Sequence, residues 1–383
     1  MGTIFVGGKA FASGSQKDMK ILILHARFSG YFAACLAKVK DLVSAELLIF
    51  SKPNQEAAPF DATAFGELGD MRDRSGISSG QILETAKHFC PDAILVAGWA
   101  DAGYMKVCRE MRQEGVPVIA GCDTQWKGGL RQHVASWTAR FHVHKAIDVL
   151  WVTGERQRAL ATALGYTGDR CWDGYYACDW KAFAYPKCPD THSQTSSIQN
   201  QKSSPFFLYV GRYVPEKGID GLAAAYRSYC SQVAHPWPLV CAGAGPLRNT
   251  LIAAGAEDRG FVQPSDLPAL MHSAAAFVLP SRFEPWGVVV QEAAACGLPL
   301  ILSDACGAGV HLLRDLYNGY SFPNGSVASL TRSLTAMHHM PEQQRQAMGH
   351  ASFELSKQYT PGRWAETLCS KISQGQRSWK PFF

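Results

Sequence analysis

Short, unbroken apolar runs alternate along the chain with longer segments of helical period. KILILH (20–25), AELLIF (45–50), AILVAGW (93–99), VPVIAG (116–121) and DVLWVTG (148–154) have the continuous apolar character of strands covered on both faces. The segments 30–42, 81–89, 100–115 and 155–165 follow as helices. Strands alternating with helices imply parallel βαβ units and one doubly wound sheet. The pattern breaks at a polar stretch rich in Ser, Gln and Pro, then resumes with FFLYVG (206–211), PLVCAG (238–243), RGFV (259–262), AAFVLP (275–280) and LPLILS (298–303). The fold class is therefore α/β, with two Rossmann-like, doubly wound parallel-sheet domains. Their expected limits are 1–187 and 205–360, with a linker at 188–204. Residues 1–18 read as a leader before the first convincing strand, and 361–383 as a helical segment crossing back to the first domain.

In 280–297, PSRFEPWGVVVQEAAACG, a buried strand ends at Pro280, and Pro285 and Gly287 punctuate the connection. A helix starts at Val288 and is stopped by Gly297 and Pro299. Glu284 falls at the strand's carboxyl mouth, and Glu292 lies about two turns into the helix. Ligands in open α/β sheets bind outside the carboxyl ends of the strands, where helix N-termini offer unpaired N–H groups. Glu284 is placed to meet neutral hydroxyls, the amides near Gly287 and Val288 an anionic part, and Glu292 a more distant piece of the same molecule. A ligand with hydroxyls at both ends and an anion between them is a nucleotide sugar. In RYVPEKG (212–218), Arg212 and Lys217 flank a second turn and suit a diphosphate, Arg through its planar fork and Lys as a point charge. The bland alternative for these four is a capping glutamate, a solvated helix glutamate and ordinary surface cations.

The 383-residue length fits two domains of ordinary size, and 47% hydrophobic against 18% charged residues fits large cores rather than disorder. A net charge of +5 is too mild for a nucleic-acid binder. No apolar run approaches the ~20 residues of a membrane span, and the start lacks the basic and apolar regions of a signal peptide. Twelve cysteines without a CxxC, mostly in apolar runs, suit buried thiols in a reducing compartment rather than disulfides or a zinc site.

The first sheet's strand mouths are 26–30, 98–101 and 121–126. The turn at Gly30 lets a diphosphate approach the backbone, and Trp99 stands on the acceptor side. In CDTQWKGGLRQ (122–132), Asp123 is the only acid: it either caps the next helix or touches a sugar. Trp126, Lys127 and Arg131 follow it as further acceptor-side candidates. From 124 to 147 there is no acid, while Lys127, Arg131, Arg140 and Lys145 are basic. Leu130, Val134, Trp137 and Phe141 recur at helical spacing, which leads us to expect a core-facing stripe with a solvated basic face. The alternative is a contact with a membrane surface or a lipid phosphate.

Taken together, these segments resemble the retaining, nucleotide-sugar-dependent glycosyltransferases of family 4, which have the GT-B fold, two Rossmann-like domains facing across a cleft. The resemblance rests on EPWGVVVQE (284–292) for the family's E-x7-E, GRYVPEKG (211–218) for G-R-x-x-x-x-K-G, FVQPSDLPALMHSAAAFVLPS (261–281) for the nucleotide-pocket region, and NGYSF (318–322). It covers roughly 205–360; the first half is similar only in its alternation and in YYACDWKAF (175–183). It implies a retaining, metal-independent, hexosyltransferase-like enzyme with no cofactor beyond its nucleoside diphosphate sugar. Arg212 and Lys217 would hold the diphosphate with help from the amides near Gly287 and Val288. Glu284 would contact the sugar, Glu292 the ribose and the segment around Val262 the base. Relatives often carry a histidine in the loop where Asp123 stands here, so donor identity stays open. The implied partners are a glycan or lipid-linked acceptor in glycan or glycolipid assembly. The implied location is cytoplasmic, with a peripheral contact of 126–145 on the inner membrane face as an option. A GT-B nucleotide-sugar epimerase and a catalytically silent sugar-nucleotide-binding scaffold are the rival readings.

Overall fold

Among the described residues, seven parallel strands form the first sheet: β1 (Met19–Arg27), β2 (Ala45–Lys52), β3 (Asp70–Asp73), β4 (Ala93–Val96), β5 (Val118–Cys122), β6 (Val149–Val152) and β7 (Cys171–Asp173). Six form the second: β8 (Phe207–Val210), β9 (Leu239–Ala242), β10 (Glu257–Asp258), β11 (Ala276–Leu279), β12 (Leu300–Ser303) and β13 (Gly319–Phe322). The orders are β3-β2-β1-β4-β5-β6-β7 and β10-β9-β8-β11-β12-β13, so each sheet reverses direction once, at β1/β4 and at β8/β11. This computed structural model describes residues 18–52, 68–184 and 204–375; the leader, most of the expected linker and the last residues lie outside them.

The apolar runs become strands because both faces are covered. In β1, Leu22 and Leu24 enter one core and Ile21 and Ile23 the core on the opposite face, as the two-residue period requires. Besides the two-residue β10, three strands escape this signal: β3 (DMRD) is exposed along its length, β7 (CWD) has only three residues, and β13 (GYSF) is buried only at Gly319 and Phe322. RGFV, expected as a strand, is not one. The ladder ends at β10, where the Asp258 carboxylate accepts the Gly260 N–H at 2.9 Å and turns the chain out of the sheet. Val262 then leans on the second core from a loop.

Within the described residues, the chain crosses between domains on both sides of the second sheet. Cys178 and Phe183, expected in the first domain, already belong to the core of the second. The helix Pro361–Gly375 packs back on the first, where Trp364 stacks on Trp151 at 4.7 Å and donates to the Tyr175 carbonyl at 2.8 Å.

The expected core-facing stripe is also corrected. On the helix Leu130–His142, Leu130 is 86%, Val134 63%, Trp137 87% and Phe141 56% exposed, and the buried residue is Ala139. Helical spacing puts the four on one face but does not say which way that face looks. Cysteines among the described residues are free and, apart from Cys90 and Cys230, buried. No described helix is long and apolar enough to cross a membrane.

Candidate active site

The turns after β8 and β11 meet at the second sheet's reversal point. Gly218 makes this possible: its φ is +69°, and a Cβ there would lie 2.1 Å from the Pro280 carbonyl oxygen. Lys217 is thereby brought onto Glu284, its ammonium donating to Oε2 of that carboxylate, which also accepts the Ser281 hydroxyl at 3.2 Å. Glu284 is buried, whereas Arg212, on the same turn as Lys217, is exposed and carries no ion pair among the described residues. A buried carboxylate needs such partners, because an unpaired one would cost several kcal/mol, of order ~3–5.

Gly287, at φ +97°, opens the helix Val288–Ala295, and no side chain among the described residues caps it. Its first amides therefore remain available to an anion. Glu292 lies further along, partly buried and without a hydrogen bond among the described residues. Burial, reinforced by the neighbouring Asp179 carboxylate, pushes its pKa up to about 7.

A cavity of about 1020 Å³ opens at the carboxyl edge of the first sheet, beside the reversal point, bordered by His25, Trp99, Asp123, Arg131 and Tyr176 among others. His25 stacks on Phe32 at 4.5 Å, and burial lowers its pKa to about 4, so its imidazole is neutral near pH 7. Asp123 is exposed in this cavity and accepts the Tyr176 hydroxyl at 3.1 Å. It does not cap the next helix, whose N-cap is Gly129. Trp99 and Arg131 border the same space. Trp126 and Lys127 do not: Trp126 leans on the first core and meets His133 edge-on at 4.9 Å, and Lys127 reaches across to the Phe283 ring at 3.5 Å. Gly30 starts the helix Gly30–Leu42 outside the cavity, and a Cβ there would meet nothing within 4 Å.

Three side chains that carry no motif join the two domains here. Gln157, fully buried, donates through Nε2 to the carbonyls of Asp123 (3.1 Å) and Pro285 (2.6 Å), tying the two carboxyl-end loops together. Arg156 donates to the carbonyls of Ala305, at 2.8 Å, and Asp304. Gln291, next to Glu292, donates to the Tyr176 carbonyl at 2.9 Å. Nothing in ERQRAL separates Gln157 from its solvated neighbours, and Tyr176 was visible only as part of the YYACDWKAF segment.

Residues 191–354 match the family described as Glycosyl transferases group 1. A glycogen synthase of Mycobacterium tuberculosis is 36% identical over 140 residues, 34% of this chain and 33% of that protein. A GDP-mannose-dependent alpha-mannosyltransferase of the same species is 27% identical over 282 residues, 71% of each chain. The chain thus spans about a third of the first of these relatives and 71% of the second. The crystal structure of Anabaena HepE in complex with UDP superposes with a TM-score of 0.70 at 16% identity, covering 93% of this chain and 100% of that one. The two facing Rossmann-like domains have the GT-B fold, and the second carries a glycosyltransferase group 1 match.

Proposed function

We propose that the protein is a retaining glycosyltransferase, moving a sugar from a nucleoside diphosphate sugar to an acceptor hydroxyl. The observation that carries this reading is the cluster of Arg212, Lys217 and Glu284 at one reversal point, facing Asp123 and the open cavity of the other domain. The diphosphate lies between Arg212, Lys217 and the uncapped helix at Gly287 and Val288, whose charges meet the departing anion without a metal ion. Glu292 grips the ribose hydroxyls, the segment around Val262 the base, and Glu284 the sugar hydroxyls. The bond between the anomeric carbon and the phosphate oxygen breaks as the acceptor oxygen bonds to that carbon, and the acceptor's proton passes to the departing phosphate. Asp123 steadies the positive charge that develops on the sugar.

HepE's UDP and the mannosyltransferase's GDP-mannose support a nucleoside diphosphate sugar as donor. The spacious cavity beside the donor mouth favours a glycan or lipid-linked acceptor over epimerisation, which needs none. Free buried thiols support a cytoplasmic location. Thermal shift against UDP, GDP, ADP and dTDP sugars, then product analysis with and without acceptor, tests the reading. Transfer should need an acceptor; donor isomerised without one would make the protein an epimerase, and binding without turnover a scaffold.

A further inference from the structure

We propose that the helix Leu130–His142 docks the protein on an anionic lipid bilayer. At 100° per residue, Leu130, Val134, Trp137 and Phe141 fall within an arc of about 60°, and the buried Ala139 lies opposite them. The apolar face thus points straight away from the body of the protein, the reverse of an ordinary surface helix. Side chains of this size at 56–87% exposure form a contiguous patch that water penalises and a partner would cover.

Charge identifies the occupant. Arg131 and His142 flank one edge of the arc and His133 and Arg140 the other, and no acid occurs from 124 to 147. Apolar and indole side chains bordered by cations on both sides match a bilayer interface, with the rings at headgroup depth and the cations on lipid phosphates. A second copy of the chain fits worse, since two such faces would bring their basic borders together. Arg131 and His142 also border the large cavity, so docking holds the cavity's rim at the headgroup layer. The docking stands apart from the proposed reaction, and its test needs no turnover.

The test is co-sedimentation of the full chain with phosphatidylcholine vesicles and with vesicles of equimolar phosphatidylcholine and phosphatidylglycerol. The protein should bind the anionic vesicles at least ~10-fold more tightly than the neutral ones. The double substitution Trp137→Ser, Phe141→Ser should weaken that binding at least ~10-fold and leave the circular dichroism unchanged, because both side chains are exposed. No binding by the native chain, binding indifferent to lipid charge, or equal binding by the double variant each overturns the proposal. So does a dimer in sedimentation velocity that the double substitution dissolves while vesicles capture neither protein, which assigns the face to a second copy.

Discussion

Lys217 and Glu284 form an ion pair across the point where the second sheet reverses, one from the turn after β8 and the other from the turn after β11. The pair binds the two turns into one unit and leaves Arg212 as the cation exposed beside it. Lys217 therefore has a structural duty that Arg212 lacks, and substitutions at the two should separate stability from binding.

Arg212→Ala should weaken nucleoside diphosphate binding by ~1.5–3 kcal/mol, the scale of a hydrogen bond to a charged group, with an unchanged melting temperature. Lys217→Ala should weaken binding and also cost roughly 3–5 kcal/mol of stability, because it strands a buried carboxylate. Calorimetric titration and thermal unfolding of both variants check this. Equal stability losses would show that the ion pair carries no special weight.

Glu292 gives a pH signature. Its pKa rises from 4.5 unfolded to about 7 folded, so the folded state holds the extra proton between those values. Stability should therefore fall as pH rises from 4.5 to 7, by on the order of 1–3 kcal/mol from this group. Glu292→Gln removes the penalty, so it should melt higher than the native protein at pH 8 and near it at pH 5. A carboxylate that accepts ribose hydroxyls must be ionised to bind best, so native nucleotide affinity should rise with pH and level off above 7. A flat affinity from pH 6 to 8 would remove Glu292 from the ribose.

Asp123→Asn keeps the shape and removes the charge. Because Asp123 caps no helix, stability should stay within ~0.5 kcal/mol, while turnover should fall more than ~10-fold, above ~1.4 kcal/mol in the barrier. Nucleotide affinity should hold, since the proposed nucleotide pocket belongs to the other domain. Steady-state kinetics beside thermal unfolding would expose the opposite pattern, which assigns Asp123 a purely structural role.

Gln157→Leu should loosen the tie between the Asp123 and Pro285 loops. We expect a larger radius of gyration by small-angle scattering and a turnover loss of ~10-fold or more, with nucleotide affinity unchanged. An unchanged radius and turnover would mean that the bridge does not govern closure.

The strands that build both cores were legible because burial on both faces forces continuous apolar runs, as in β1, β8 and β11. β3, β7 and β13 were not, since a sheet edge tolerates polar or very short strands. Glu284, Glu292 and Lys217 stood out as candidates by their places around strand–turn–helix junctions. The Lys217–Glu284 pair did not, because it depends on two turns 67 residues apart meeting at Gly218. Gln157 looked like any polar residue of a surface helix until the second domain covered it. For 130–142, spacing showed that four large apolar residues share a face, but only the packing of Ala139 showed that this face looks outward.

Whether the sugar is transferred with retention is read from proton NMR of the reaction mixture. The donor that the thermal-shift panel selects is incubated with the protein and an acceptor, and the anomeric couplings of donor and product are compared. Release of nucleoside diphosphate and a new glycosidic linkage with the donor's anomeric configuration are expected. A product of opposite configuration, or a donor converted to another sugar nucleotide without acceptor, would contradict that expectation.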